Sequence, residues 1–283
     1  YWPQALATGR RAALLDAVLA RDYRLGTFAS ATLYHPEFNL TVFSGIEGLR
    51  LQSPEGSSIE RDLSCIRDFE AFLDQRDESD QDDRRPFFAF MFLDNVHSYS
   101  LPPEAPHPFA PAADDINYME LDAHTDPTPY LNLYRNAVHY ADSNVGTVLK
   151  ALEARGLLDD TVVIISGDHG QEFNDSGHNF WGHNGNYTRF QLQVPLVVHW
   201  PGRGAGHVGT RAVSYDVSTT LMEDLLGVTS PRESYSVGQN LFSLSPREFF
   251  VAGSYNEAAV VEEHRVVMID PIGLMHFKDP LWN

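Results

Sequence analysis

The sequence predicts an α/β fold in which a doubly wound, mostly parallel sheet carries helices on both faces. Apolar runs at 87–93 and 161–165 have the β-branched and aromatic composition of strands buried in such a sheet. Both runs end abruptly in polar residues. Helical hydrophobic patterns at 58–75 and 130–155 lie between and before them, and this alternation of strand and helix is typical of parallel sheets.

The first part of the chain is predicted to begin with a helix and a strand. Residues 10–21 place leucine and valine on one helical face, and 23–30 has the composition of a strand. The helix at 58–75 follows. The charged segment 76–85 then predicts a solvated loop before the next strand.

A long proline-rich segment, 102–129, follows the strand at 87–93 and predicts an irregular lid or substrate loop. The helix after it is expected to end at Gly156, a residue suited to the left-handed helix cap. A further strand is expected at 194–200, and Asp216 is expected to cap the helix that follows it.

The chain is predicted to form one domain in two parts. Residues 1–245 are expected to form the α/β core, and 246–283 a small antiparallel, strand-rich extension. A chain of 283 residues with 43% hydrophobic content is long enough to bury a sizeable core.

Charge limits the partners of this chain. There are 39 acidic and 20 basic residues, for a net charge of −19. Such a surface argues against nucleic acid or an anionic membrane face as the main partner. An anionic ester would need local cationic help, such as a metal ion. The single cysteine, Cys65, lies in a helical pattern and is expected to be a packed core residue.

The clearest chemical motif is Asp168-His169-Gly170, directly after the strand at 161–165. A carboxylate and an imidazole at the carboxyl end of a strand lie where open α/β sheets bind ligands. Oxygen and nitrogen ligands of this kind suit Zn, Mn or Fe, so the motif predicts a metal site. A helix cap beside a surface histidine is the structural alternative. His178 and His183 follow within the same loop.

The strand at 87–93 also ends in polar residues, namely Asp94, Asn95 and His97. The carboxyl ends of neighbouring parallel strands meet at one edge of a sheet. Convergence of the two strand ends would therefore form a site.

These motifs resemble the sulfatase and alkaline phosphatase superfamily. The resemblance is carried by TVVIISGDHGQEF at 161–173 and VPLVVHWPG at 194–202. Within the superfamily it is nearest to the membrane-anchored branch of lipoteichoic acid synthases and phosphoethanolamine transferases. WGHNGNY at 181–187 and FLDNVHSYSLP at 92–102 are most similar to Gram-negative inner-membrane proteins with a periplasmic sulfatase-like domain, which are linked to control of envelope lipids.

The resemblance implies roles for four residues by position. Asp168 and His169 match metal ligands, and His97 and His183 match histidines that contact the substrate. His178 has no counterpart and is expected to face solvent. Related sequences place a histidine before the aspartate that aligns with Asp216, where this chain has tyrosine, so only the capping role is expected there.

The family also needs an acidic metal ligand on its first strand and a nucleophile on the next helix. Neither motif occurs here, so both are expected upstream of Tyr1, and no catalytic nucleophile is assigned within the chain. Thr8 is a weak alternative, since it lacks the sulfatase signature before it. Cys65 lacks that signature as well, which favours phosphoester over sulfate-ester chemistry.

The resemblance therefore implies a metal-dependent phospho- or sulfoester hydrolase or transferase that acts through a covalent intermediate. Zn or Mn is the expected metal, with Mg and Ca as alternatives. The expected partners are an ester substrate, lipid headgroups included, and a membrane reached through preceding helices, with no nucleic acid. The expected location is the periplasmic side of a bacterial inner membrane. The alternative is a non-catalytic, lipid-sensing regulatory domain.

Overall fold

The structure is a computed structural model, and it describes residues 6–78, 85–254 and 257–283. Most of the charged segment predicted as a solvated loop lies outside these residues. The chain divides into two compact units. The first unit comprises Asn95–Ala205 and Glu248–Asn283, and the second comprises the described residues up to Asp94 together with Gly206–Arg247.

The helices and strands of both units are numbered in chain order. The α-helices are α1 (Ala13–Leu19), α2 (Ser58–Glu78), α3 (Thr128–Ala154), α4 (Arg189–Leu192) and α5 (Ser214–Thr220). The strands are β1 (Arg24–Ala29), β2 (Phe87–Phe92), β3 (Val163–Ser166), β4 (Glu172–Phe173), β5 (Trp181–Gly182), β6 (Leu196–His199), β7 (Phe249–Gly253), β8 (Ala258–Glu262), β9 (Val266–Ile269) and β10 (Met275–Lys278).

In the second unit, β1 and β2 pair in parallel and α2 connects them, which is the βαβ arrangement that the sequence predicts. The apolar face of α2 packs on β1, where the ring of Phe28 makes edge contacts with Phe69 and Phe72. Cys65 lies on the same helix, and it is fully buried. Burial raises its pKa to about 11, so this thiol is a core residue, as predicted.

In the first unit, α3 has the predicted length and stops before Gly156, which takes the left-handed conformation (φ 62°). Its buried face carries asparagines that the hydrophobic pattern did not reveal. Asn136 accepts a hydrogen bond from the backbone N–H of Phe109 and donates one to the Phe109 carbonyl, both at 3.0 Å. Asn132 donates to the carbonyl of Pro111. The proline-rich segment is therefore fastened to α3 along this stretch.

Strand β3 pairs with β6 in antiparallel register, from Val163 opposite His199 to Ser166 opposite Leu196. The sequence predicted a mostly parallel sheet with β3 buried on both faces, whereas β3 is half-buried up to Ser166. The connection between the two strands explains their direction. It contains a β-hairpin and the single turn of α4, and it lacks the long crossover helix that joins parallel neighbours.

The tail forms the predicted short strands, which build their own antiparallel sheet in the order β10-β9-β8-β7. One face of this sheet is covered. Ala259, Val261 and Val266 are buried there against Tyr187. Within the described residues, no helix is both long enough and apolar enough to cross a membrane.

Candidate metal and substrate site

The Asp168-His169 pair follows β3 after one residue, Gly167, so it lies at the end of the strand as the sequence predicted. Its position depends on Gly170, whose backbone N–H donates to the carbonyl of Gln191 at 2.8 Å. A side chain at position 170 would bring its Cβ within 2.3 Å of the Phe190 carbonyl oxygen. Only glycine lets the loop pack this closely on α4, so the sequence Asp-His-Gly fixes where the two preceding side chains emerge.

The two side chains present open ligand atoms. The side chain of Asp168 is 69% exposed, and its Oδ1 lies 3.7 Å from Nε2 of His169. The other ring nitrogen of His169, Nδ1, lies 2.9 Å from the carbonyl oxygen of Gly170. Because a carbonyl only accepts, Nδ1 carries the proton, and the Nε2 lone pair stays available on the side of Asp168.

A short hairpin returns the chain to this pair. Strands β4 and β5 pair antiparallel, and Gly182 at the end of β5 has φ 108°, a conformation that favours glycine. The next residue, His183, stacks on His169 with ring centroids 4.0 Å apart and an interplanar angle of 25°. The hairpin thus turns a separation of fourteen positions in the chain into direct ring contact.

His97, on the loop after β2, extends the pair of His169 and His183 to a cluster of three histidines. Its ring centroid lies 5.4 Å from that of His183, in a tilted arrangement, and His97 is exposed. The other two polar residues at that strand end serve the fold. Asp94 forms an ion pair with Arg61 at 3.0 Å, and the buried Asn95 donates to the carbonyls of Ser100 and Ala137.

His183 is neutral at physiological pH. Its pKa is lowered to about 4, first because burial disfavours the charged ring, and then because His169 and His97 would place positive charge beside it. Asp168 acts in the opposite direction with a smaller effect. The Nδ1 atom of His183 lies 2.9 Å from Oε1 of Gln171.

Gln171 begins a polar chain that the sequence did not reveal. Its Nε2 donates to the hydroxyl of Tyr99, which lies 3.1 Å from the hydroxyl of Tyr118. Burial raises the pKa of Tyr99 above its ordinary value, so this hydroxyl keeps its proton. The available signal was Gln171's position directly after the Asp-His-Gly motif.

Glu172 is the second residue that sequence reasoning missed. It is fully buried, and its Oε2 accepts hydrogen bonds from Asn186 at 2.7 Å and Gln191 at 2.8 Å. Its Oε1 accepts from the backbone N–H and the hydroxyl of Ser176. Gln191 in turn accepts from the backbone of Gly185. This carboxylate therefore ties the hairpin loop to the segment that leads into α4.

A cavity of about 480 Å³ adjoins the cluster and shares Gln171 with it. Tyr134 also lines the cavity. The pKa of Tyr134 is raised, first by burial and then by the negative charge of Asp168, which places that carboxylate near the cavity. The walls combine apolar side chains with the exposed Arg189.

Asp168 and His169 fit two positions of a divalent-metal site. The protonated Nδ1 of His169 bonds to a backbone carbonyl, which is the outer contact that orients metal-binding histidines. A carboxylate oxygen of Asp168, 3.7 Å from Nε2 of His169, would supply the second ligand. Across the residues that the structure describes, no group of three His, Cys, Asp or Glu side chains is arranged to hold a metal ion.

Two further candidate residues of the sequence are His178 and Asp216. His178 is exposed on the hairpin loop, as expected. Asp216 accepts from the backbone N–H of Val213 at 2.8 Å, so it makes a capping hydrogen bond as predicted, but it does so from the first turn of α5, which begins at Ser214, and not from the position before the helix. Asp216 is also fully buried and binds Arg247 through both carboxylate oxygens, a partner that the sequence did not predict.

The chain is similar to known proteins, and the family match spans the candidate site. The sulfatase family model matches residues 61–228, a range that includes both strand ends and all four candidate site residues. Inner membrane protein YejM of Salmonella typhimurium is 25% identical over 269 residues, covering 95% of this chain and 39% of YejM. Mouse iduronate 2-sulfatase is 30% identical over 116 residues, covering 38% of this chain and 20% of that enzyme. The chain thus spans about two-fifths of the length of YejM.

Solved structures share the fold. The phosphonate monoester hydrolase of Agrobacterium radiobacter has a TM-score of 0.63 at 17% identity, covering 94% of this chain and 74% of that chain. The lipoteichoic acid synthase LtaP of Listeria monocytogenes has a TM-score of 0.53 at 16% identity, covering 96% and 69%. These likenesses confirm the predicted α/β, alkaline phosphatase-like fold class.

Proposed function

Because the chain belongs to the sulfatase family, we propose that it carries part of a metal-dependent site that cleaves or transfers phosphate or sulfate esters. The proposal rests on one contact, between the Asp-His pair that is predicted to bind metal and a histidine that is predicted to contact the substrate. His169, beside Asp168, stacks on His183 at 4.0 Å, although the two histidines come from opposite ends of a hairpin loop.

Asp168 and His169 would hold the divalent cation, for which Zn or Mn fits the mixed oxygen and nitrogen set and Mg or Ca is the alternative. Such an ion supplies Lewis acidity and lowers the pKa of a bound hydroxyl. The chain's own part is to fix both ligand atoms before the ion arrives. Gly170 does so by holding the loop against α4, and the Gly170 carbonyl orients the imidazole of His169.

His97 and His183 would line the substrate side of this site. His183 enters the reaction neutral, so it contributes a hydrogen-bonding nitrogen and no positive charge of its own. The charge of an anionic ester would instead be balanced by the cation, which a protein with a net charge of −19 needs at this point. Arg189 on the cavity wall is a further cation near the cluster.

Phosphoesters are the favoured substrates. Sulfatase chemistry resembling that of the family would need a modified cysteine or serine in its signature sequence, and Cys65 is fully buried without that context. No residue of the histidine cluster is proposed to be the nucleophile. A covalent intermediate on such a nucleophile would pass to water or to a second alcohol.

Similarity to YejM, an inner membrane protein, supports a further part of the proposal. The chain would act as a periplasmic domain of a bacterial inner-membrane protein, with lipid headgroups among its ester substrates. A regulatory, lipid-sensing domain that binds metal and substrate without turnover is the competing function.

The test uses the chain and, where the gene encodes more, the full gene product. Phosphomonoester, phosphodiester and sulfate-ester reporters are assayed with Zn or Mn, beside Asp168→Asn and the control Asp159→Asn, an exposed acid elsewhere on the same unit. In the full gene product we expect metal-dependent turnover that Asp168→Asn abolishes and the control retains. Metal-loaded, folded gene product without turnover would overturn the catalytic proposal and leave the regulatory one.

A further inference from the structure

A run of hydrogen bonds joins the histidine cluster to two tyrosines. It passes from Nδ1 of His183 to Oε1 of Gln171, from Nε2 of Gln171 to the hydroxyl of Tyr99, and from there to Tyr118. All of these residues belong to the first unit. None of the bonds involves Asp168 or His169, although the ring of His183 stacks on that of His169.

The chemistry of the amide gives this run a direction. An amide oxygen only accepts and an amide nitrogen only donates. Because the amide oxygen of Gln171 faces His183, Nδ1 of His183 must carry a proton. Because the amide nitrogen faces Tyr99, the hydroxyl oxygen of Tyr99 must accept through a lone pair. The hydroxyl of Tyr99 can then direct its own proton to the hydroxyl of Tyr118, 3.1 Å away, and either hydroxyl can donate in that pair. Every member has a partner of the opposite kind, so the arrangement is self-consistent.

We propose that Gln171, anchored by Tyr99, is a positioning residue that holds His183 in the tautomer protonated on Nδ1. The ring of His183 then presents an unprotonated Nε2. It offers the substrate a hydrogen-bond acceptor, which suits the hydroxyl group of an attacking alcohol or water. A non-bridging oxygen of an ester is itself an acceptor and cannot bond to that nitrogen. The inference rests on the proposed function for the role of His183 in the reaction, but the tautomer itself can be observed without substrate or metal.

The surroundings support a fixed tautomer. Gly182, with φ 108°, sets the backbone direction at His183, and a Cβ there would lie 3.8 Å from Nε2 of Gln171. The stack on His169 holds the ring plane. With the ring plane and backbone both fixed, the hydrogen bond to Gln171 decides which nitrogen carries the proton.

The experiment is ¹⁵N NMR of the full chain with labelled histidine, at a pH well above the ordinary histidine pKa and without metal. His183→Gln identifies the His183 signals. The wild-type chain should show His183 protonated on Nδ1. Gln171→Glu, which keeps an acceptor, should preserve that form, and Gln171→Leu should abolish it as the single species. Tyr99→Phe frees the amide from its anchor and should produce a mixture.

Two controls separate positioning from folding. His199 donates from Nε2 to the carbonyl of Leu158 at 3.1 Å in the same unit, so its opposite tautomer should persist in every variant. Gln193→Leu alters an exposed glutamine of the same cavity and should leave His183 unchanged. Protonation of wild-type His183 on Nε2, or an unchanged tautomer in Gln171→Leu with the His199 signals intact, would overturn the proposal. Absence of ester turnover would bear on the proposed function and leave the tautomer result standing.

Discussion

Two aspartates, one in each unit, show opposite uses of the same side chain. Asp216 is fully buried, binds both ends of the Arg247 guanidinium, and accepts from the backbone N–H groups of Val213 and Gln239. Asp168 has a side chain that is 69% exposed, and it accepts from the backbone N–H of His169. A carboxylate whose lone pairs are filled inside the protein stabilises the fold, whereas one that faces solvent beside an open imidazole is available to a ligand.

Glu172 is a second buried carboxylate, and it differs from Asp216 in its hydrogen-bond partners. It is as buried as Asp216, but its hydrogen-bond donors are the neutral groups of Ser176, Asn186 and Gln191. It stands four positions from Asp168 and supports the hairpin that carries His183. Buried carboxylates therefore occur both as an ion pair and as a hub of neutral hydrogen bonds, and neither kind is open to a ligand.

The largest effect is expected from breaking the buried ion pair. Arg247→Met leaves the Asp216 carboxylate without its counter-charge, so the free energy of unfolding should fall by about 3–5 kcal/mol in urea denaturation. The double variant with Asp216→Asn should recover part of that loss, because no buried charge remains. A loss below about 1 kcal/mol would be the value of a surface ion pair and would contradict the comparison.

Glu172→Gln should have the next largest effect. The amide turns one acceptor oxygen into a donor that faces other donors, so the free energy of unfolding should fall by about 1–3 kcal/mol. Because the hydrogen bonds of Glu172 support the hairpin that carries His183, their loss should also broaden the NMR signals of His183. Glu153→Gln, on the exposed side of α3, is the matched control and should leave both quantities unchanged. If the two variants had the same free energy of unfolding and the same His183 signals, Glu172 would have no role in supporting the site.

A partly exposed ion pair should contribute less, and with a defined pH dependence. Arg232 bonds to Glu223 at 2.7 Å and holds the pKa of that carboxyl below its ordinary value of 4.5. A lowered pKa in the folded state stabilises the protein above the ordinary value, and this contribution is lost as pH falls through the folded pKa. Glu223→Gln should therefore flatten the acid limb of the stability profile below about pH 4.5 and cost less than about 1 kcal/mol at neutral pH. If Glu223→Gln had the same acid limb of the stability profile as the wild type, Glu223 would not contribute to the pH dependence of stability.

Asp168→Asn should have the smallest effect on stability and a large one on metal binding. The side chain is exposed, so the free energy of unfolding should change by less than about 0.5 kcal/mol. Removing a proposed ligand should weaken Zn or Mn binding by more than the roughly 10–100-fold that outer contacts are worth, as measured by calorimetry. Unchanged metal affinity would remove Asp168 from the ligand set, whereas marked destabilisation would place it with Asp216 as a structural acid.

Several parts of the fold could be predicted from the sequence because local patterns specify them. The parallel βαβ unit, the extent of α3 and its stop before Gly156 follow from hydrophobic periodicity and capping. The asparagines on the buried face of α3 were not predicted. Their partners lie in the proline-rich segment, more than twenty positions away, and a hydrophobic pattern contains no information about such contacts.

For the site, the sequence alone determined that an acid and an imidazole follow a strand, with glycine after them, because adjacency in the chain fixes adjacency at the strand end. The tertiary structure decided everything that depends on distant contacts. It brought His183 onto His169, directed Asp94 to Arg61 and Asp216 to Arg247, and placed Gln171 where it can orient His183. The physical reason is that burial and hydrogen-bond partners determine whether a polar side chain supports the fold or faces a ligand, and only the folded chain supplies both.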